Sequence, residues 1–287
     1  QEMLRKYGYG DQVGRNVLQL NMGNGQFAEI GELAGVSTTD WSWGSLFADL
    51  DNDGWQDLHV ANGYRRDMTH MDYVVYTRDS IERTGGLSKK RFPDINAFLD
   101  LVPEKKLASF VFRNQQDLTF KDVTNEWGMD QPAFSNGSAW ADLDNDGDLD
   151  MVINNILDPA FIFENHASER LDHHYLQISL EGKSANTYGI GAEVCVTTSD
   201  GQRQCQAMRP IRGFFSSSQP IIHFGLGTRT AIEELVVVWP DRRMQTLKNV
   251  KADSRLVLRQ KEADGRAPNS GDPTANSGRL FEALPDR

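Results

Sequence analysis

Apolar residues in this chain recur mostly at alternate positions in short runs, the period of half-buried β-strands rather than of helices. The runs also repeat. Residues 21–62 align without gaps on residues 114–155, an offset of 93 positions (Asp49 to Asp142). Phe27 falls on Phe120, Gly35 on Gly128, Ser42-Trp-Gly44-Ser45 on Ser135-Asn-Gly137-Ser138, and Ala48-Asp49 on Ala141-Asp142. Each unit reads as a strand ending in Asn, a turn, a strand centred on Phe, a connection, and a strand leading into an acidic loop. That spacing suits sheet blades of a propeller or a related repeat array.

Other patterning interrupts the repeat. Residues 67–83 carry Met68, Met71, Tyr73, Tyr76 and Ile81 loosely at helical spacing, and Gly85-Gly86 ends the run. Residues 92–99 read as a second short helix. A third unit opens at residues 160–165, matching 110–114, and breaks off. From residue 171 six alternating runs, at 175–180, 192–196, 204–208, 221–224, 235–239 and 255–258, read as an all-β sandwich or barrel. The expected fold is therefore mainly β: a partial β-propeller with a helical insertion, then a C-terminal all-β domain. The expected divisions are residues 1–63 (first blade region), 64–109 (insertion), 110–165 (second blade and start of a third), 171–261 (β-domain), 262–279 (a Gly-, Pro- and Ser-rich linker) and 280–287. In the last of these, Leu280-Phe281-Glu-Ala-Leu284 repeats the pattern of Gln26-Phe27-Ala-Glu-Ile30 and Thr119-Phe120-Lys-Asp-Val123, as though a further blade starts there. A closed propeller takes about four or more blades, so the chain is expected to be a fragment or part of a larger assembly.

The acidic loops carry the clearest chemistry. Asp49-Leu-Asp51-Asn-Asp53-Gly54-Trp55-Gln-Asp57 is written again as Asp142-Leu-Asp144-Asn-Asp146-Gly147-Asp148-Leu-Asp150. Calcium takes six to eight oxygen ligands, and loops of the form D-x-D-x-D-G supply them from positions 1, 3, 5, 7 (a backbone carbonyl) and 9. The first candidate site is thus Asp49, Asp51, Asp53, the Trp55 carbonyl and Asp57. The second is Asp142, Asp144, Asp146, the Asp148 carbonyl and Asp150, giving about two calcium ions. An EF-hand would place Glu at position 12, where this chain has Val60 and Ile153. Strand formers follow both loops, so the sites are strand–loop–strand.

Composition narrows the function classes. With 41 acidic against 30 basic residues the chain lacks the basic character of a nucleic-acid binder. No apolar run is long enough to span a membrane, and residues 1–7 lack the apolar core of a signal peptide. Cys195 and Cys205 flank Ser199-Asp200-Gly201, a hairpin-turn signal. They read either as a cross-strand disulfide or as two half-buried thiols. His173-His174 points its side chains to opposite faces of a strand, and Ser216-Ser-Ser218 has no His or Asp partner nearby in sequence, so no catalytic residue is assigned. Trp41, Trp43, Trp55 and Trp140 surround the loops, either filling space between blades or stacking on sugar rings.

Two resemblances follow from these residues. The acidic units resemble FG-GAP or VCBS repeats, the calcium-loop blades of integrin α-chain propellers and many secreted bacterial proteins. Tyr188-Gly-Ile-Gly-Ala-Glu-Val194, Gly213-Phe-Phe-Ser-Ser-Ser-Gln219, His223-Phe-Gly-Leu-Gly227 and Val236-Val-Val-Trp-Pro-Asp241 resemble the ASPIC/UnbV domain. Arg242 stands where that family usually has glycine. The pairing is similar to that of the cartilage acidic protein family and its bacterial relatives. It implies a non-enzymatic, calcium-binding recognition or scaffold protein, extracellular, on the cell surface or periplasmic, that meets a protein or glycan partner. The rival expectations are a secreted polysaccharide hydrolase or lyase and an accessory subunit of a bacterial outer-surface uptake complex.

Overall fold

The computed structural model describes residues 14–66, 71–83 and 102–267. It is mainly β, in several sheets. β1 (Gln19–Asn21) and β2 (Phe27–Glu29) pair antiparallel. β3 (Ser42–Ala48), β4 (Asp57–Asn62), β5 (Phe110–Asn114) and β6 (Phe120–Asp122) form a four-stranded antiparallel blade in chain order. β7 (Ser135–Ala141), β8 (Asp150–Asn155) and β9 (Phe161–Phe163) repeat its first three strands. The likeness extends to detail. The β3–β4 register shifts between Ser42 and Ser45, and the β7–β8 register shifts between Ser135 and Ser138. Each acidic loop joins the first two strands of its blade.

The repeat unit read from the sequence is out of step with the sheets. Its first two strands close one blade and its last two open the next, so β1–β2 corresponds to β5–β6. Apolar clusters fasten the blades to each other. Ala34, Val36, Leu58, Val60 and Phe112 meet between β2 and the β3–β6 blade. Leu46, Val111, Val123, Trp140, Met151 and Ile153 meet between that blade and β7–β9.

The insertion leaves after β4 and returns into β5. Helix α1 (Met71–Arg83) matches part of the first expected helix. Residues 67–70 and the second expected helix at 92–99 lie outside the described residues, as do most of the expected linker and residues 280–287. The segment returning toward β5 is tied to the third-blade region by an isolated bridge between Leu107 and Ala133 and by Lys106 Nζ, 2.7 Å from Asp158.

After α2 (Ala167–Arg170) the chain builds a two-sheet sandwich rather than a closed barrel. One sheet orders β13 (Ile221–Gly227), β10 (His174–Glu181) and β16 (Ser254–Arg259). The other orders β12 (Arg203–Ala207), β11 (Glu193–Thr197), β14 (Ala231–Val238), β15 (Arg243–Lys251) and β17 (Gly265–Arg266). Leu176, Ile178, Val194, Val196, Phe224, Leu235, Val237 and Trp239 fill the space between them. β15 goes unannounced by apolar alternation because most of its residues are polar and partly or fully exposed. Cys195 faces Cys205 across β11–β12, and the two form a disulfide with a Cα–Cα distance of 4.1 Å.

One loop of the sandwich reaches back to the blades. Residues 209–219 lie against β3 and β7: Trp140 N–H donates to Ser218 Oγ at 3.3 Å, and Gln219 N–H donates to the Trp140 carbonyl at 3.3 Å. Arg212 sits over the Trp140 ring at 5.6 Å. The glycines of the two Ser-x-Gly-Ser runs make room for this loop. A Cβ on Gly44 would lie 3.3 Å from Phe214 N, and one on Gly137 would lie 2.6 Å from Ser216 Oγ and 3.0 Å from the Phe214 carbonyl. Overpacking at such a contact costs about 1–3 kcal/mol. Gly137→Val is therefore expected to lower unfolding stability by about that amount in urea titration; an unchanged midpoint would contradict this packing.

Candidate metal centre

Each acidic loop is shaped by its own carboxylates. Asp49 Oδ2 accepts the Gly54 N–H at 2.9 Å, Asp51 Oδ1 the Asp53 N–H at 3.3 Å, and Asp53 Oδ1 the Trp55 N–H at 2.8 Å. Asn52 and Asn145, at position 4, take left-handed φ of 56° and 66°, a conformation asparagine tolerates better than most residues. Gly54 and Gly147 follow at 94° and 96°, beyond the reach of ordinary side chains. These turns gather carboxylate oxygens of Asp49, Asp51 and Asp53 within 4.8 Å of one another, and likewise those of Asp142, Asp144 and Asp146.

The other sequence-assigned residues lie outside these two tight groups. Asp57 accepts the Leu50 N–H at 3.1 Å and, with its other oxygen, the Asn114 N–H at 2.9 Å. Asp150 does the same for Leu143 and Asn165, both at 2.8 Å. Position 9 therefore staples the loop start to the end of β5 in one blade and to the residue two past β9 in the other. Trp55 closes the first loop through its N–H and is itself 39% exposed. Asp148 is fully buried, with Oδ2 accepting the Ser168 N–H at 2.9 Å, while Ser168 Oγ donates to Asp146 at 2.6 Å.

The loops are covered by the sandwich. Alternation along β10 and β13 sends Leu176, Ile178, Ile222 and Phe224 into the sandwich core and turns Tyr175, Gln177, His223 and Gly225 toward the blades, so β13 is buried on both faces. His223 Nε2 meets Asn52 Oδ1 at 2.6 Å, the Gly227 N–H donates to the Asn52 carbonyl at 2.8 Å, and Gln177 Nε2 donates to Asp142 Oδ2 at 2.7 Å. His173 Nδ1 lies 2.6 Å from the Asp51 carbonyl. A Cβ on Gly225 would collide with the Asp49 carboxylate and the Asn52 backbone, and one on Gly147 with the Tyr175 ring. Asn52 also donates to the Gly147 carbonyl at 3.3 Å, which links the two loops directly.

Burial at this junction leaves charge uncompensated. Asp49 is 1% exposed and Asp142 7% exposed, and Oδ1 of each has no hydrogen-bond partner. Without a cation, burial and then the neighbouring Asp57, Asp53 and Asp51 hold Asp49 well above the usual carboxylate range. Burial, with Asp51 adding to it, pushes Asp57 up to about 8, and burial pushes Asp148 up to about 6. Orphaned buried oxygens inside a group of like charges fit a hard cation. The first loop also has a counter-charge: Arg113 Nε lies 2.7 Å from Asp51 Oδ2. The equivalent position beside the second loop holds Glu164. Arg113, Gln177, Ser168 and His223 escape the sequence reading because their roles exist only once distant strands meet. Asn52 carries a local signal, since the repeat places an Asn at position 4 twice.

Comparison with known proteins finds two stretches of the chain that match family models. Residues 7–60 match the FG-GAP-like repeat, and residues 182–265 match ASPIC and UnbV. The second acidic loop lies outside both matches and is tied to the first by the internal repeat. The chain is similar to cartilage acidic protein 1 of Xenopus tropicalis, 25% identical over 281 residues, which cover 85% of this chain and 41% of the relative. The Mus musculus protein is 23% identical over 279 residues, with 85% and 41% covered. The Homo sapiens protein is 22% identical over 279 residues, with 85% and 40% covered. The chain spans about two fifths of the length of these curated relatives. Among the described residues no helix is long and apolar enough to cross a membrane.

The buried groups set a signed pH dependence. Asp57, raised in the metal-free fold, contributes stability that is complete below the ordinary carboxylate value and lost as pH rises through about 8. Burial pulls His59 down to about 4 and His223 down to about 3, so their contribution is lost as pH falls below the ordinary imidazole value. From about pH 6.5 to 8 the carboxylates dominate among these groups. Chelator-treated protein is expected to lose about 1 kcal/mol per pH unit there in urea unfolding; a level or rising stability would contradict the burial described.

Proposed function

We propose that this chain is a non-enzymatic scaffold of the extracellular space or cell surface, in which two calcium ions fasten propeller blades to the ASPIC/UnbV domain. The observation that carries the reading is the pair of acidic groups, each with an orphaned buried oxygen, lying beneath β10 and β13. Asp49, Asp51 and Asp53, with the Trp55 carbonyl and Asp57, would hold one ion. Asp142, Asp144 and Asp146, with the Asp148 carbonyl and Asp150, would hold the other. Calcium supplies positive charge that offsets the buried carboxylates. The protein's own part is to present deprotonated oxygens and to keep water out with Gly225, His223, Gln177 and Tyr175.

A scaffold reading is supported by where the remaining polar groups are engaged. Ser216 Oγ donates to the Phe214 carbonyl at 2.7 Å, Ser217 Oγ to the Pro210 carbonyl at 3.3 Å, and Ser218 accepts from Trp140. His173 and His174 serve different partners, the Asp51 carbonyl and Asp253. An extracellular or surface location is supported by the Cys195–Cys205 disulfide, a bond of oxidising compartments, and by the two domain types. A surface for a protein or glycan partner is offered by exposed rings: Trp41 stacks on Tyr64 at 4.6 Å, Trp43 packs on Phe214 at 4.8 Å, and Phe215 beside it is 96% exposed.

Calorimetric titration of chelator-treated protein is expected to show about two calcium sites, in the weak range of about 10⁻⁴–10⁻³ M known for extracellular modules or tighter. Asp51→Ala and Asp144→Ala should each remove one site, and the double variant both. Absence of calcium uptake at millimolar concentration would sink the reading.

A further inference from the structure

The third blade carries one strand fewer than the second among the described residues. In the second blade the outer edge of β5 pairs with β6, setting Phe112 against Asp122, Arg113 against Lys121 and Asn114 against Phe120. β9 is the counterpart of β5, residues 161–165 falling on 110–114. It pairs with β8 on one side and has no strand on the other among the described residues. Beside it lies a cavity of about 640 Å³, with Trp127, Gly128, Met129, Met151 and Phe163 in its wall.

The same place one blade earlier is filled, and the molecule records by what. The Phe120 N–H donates to the Ala34 carbonyl at 2.9 Å, and Phe120 packs against the cluster of Ala34, Val36 and Phe112. A Cβ on Gly35 would lie 3.4 Å from the Phe120 carbonyl. Ala34, Gly35 and Val36 are the repeat counterparts of Trp127, Gly128 and Met129. A Cβ on Gly128 would meet none of the described atoms within 4 Å. Phe112 is buried at 4% exposure, whereas its counterpart Phe163 is only half-buried.

We propose that the free edge of β9 and the adjoining cavity are the seat of a fourth strand, and that residues 280–284 of this same chain supply it. These residues, Leu-Phe-Glu-Ala-Leu, place Phe281 where β6 has Phe120 and Leu284 where the chain after β6 has Val123. In the β6 register Phe281 stands opposite Asn165, Glu282 opposite Glu164 and Ala283 opposite Phe163. The Phe281 N–H then addresses the Trp127 carbonyl and its ring enters the cavity. The like-charged Glu164–Glu282 pair has its precedent in Arg113–Lys121, which the second blade carries at that position. Burial of an aromatic ring and the pairing of an open sheet edge drive the docking. On this topology the sandwich is an insertion into the turn between the third and fourth strands of one blade, the turn that residues 115–119 make in the blade before. The sequence pattern at 280–284 thus completes a blade already begun rather than opening another.

Two experiments on the full chain test the seat and its occupant. Phe281→Asp is expected to speed amide exchange across Phe161–Phe163 by about tenfold or more while β10–β16 exchange stays constant; unchanged β9 exchange would overturn the proposal. A chain carrying Phe163→Cys and Ala283→Cys is expected, on mild oxidation, to form a 163–283 disulfide within one molecule beside the native Cys195–Cys205 bond, as read by peptide mass. A 163–283 link found only between two chains would assign the strand to a second copy and overturn the intramolecular account.

Discussion

Carboxylates that belong to one domain are buried by the other. Asp49 lies under Gly225 so closely that no side chain fits between them, and Asn52 of the same loop is held by His223 and the Gly227 amide. The charge such a junction encloses is taken up either by protonation or by a counter-charge, because a desolvated carboxylate without a partner is costly. Arg113 meets part of that need at the first loop. The orphaned oxygens of Asp49 and Asp142 state what is left. The rest of the architecture follows from this contact: where the sandwich sits, why β13 is buried on both faces, and why its sequence reads His-Phe-Gly-Leu-Gly.

The short motifs take on separate tasks in this frame. The first three aspartates of each loop form the tight oxygen group, while the last, Asp57 or Asp150, bridges an N–H of the loop start and one at or just past the third strand. Ser-x-Gly-Ser on β3 and β7 clears room for residues 209–219. Trp140 fills the core between blades, whereas Trp41 and Trp43 join an exposed ring cluster with Tyr64 and Phe214. The ring cluster lies at the seam between blade and sandwich, so a change in the junction would be felt on that surface.

Local features were legible in the sequence, and contacts made across long separations were not. The 93-residue offset (Asp49 to Asp142) exposed the repeat, and alternation exposed most strands of both domains. The Ser199-Asp200-Gly201 turn placed Cys195 opposite Cys205, although only the structure distinguishes disulfide from thiols. The blade boundary was hidden, because β2 and β3 are consecutive in the repeat yet belong to different sheets. The cover over the loops was hidden more deeply. Asn52 and His223 are 171 residues apart, and nothing in the pattern around either predicts that they meet. A repeat announces that a loop recurs; it does not say what lies over it.

Because the acidic loops are the joint between blades and sandwich, a cation bound there is expected to be felt across it. Amide exchange along β13, Ile221–Gly227, measured with and without calcium, tests this most directly. Slower exchange in β13 as well as in both loops on adding calcium is the predicted result. Protection confined to residues 49–57 and 142–150, with β13 unaffected, would contradict it.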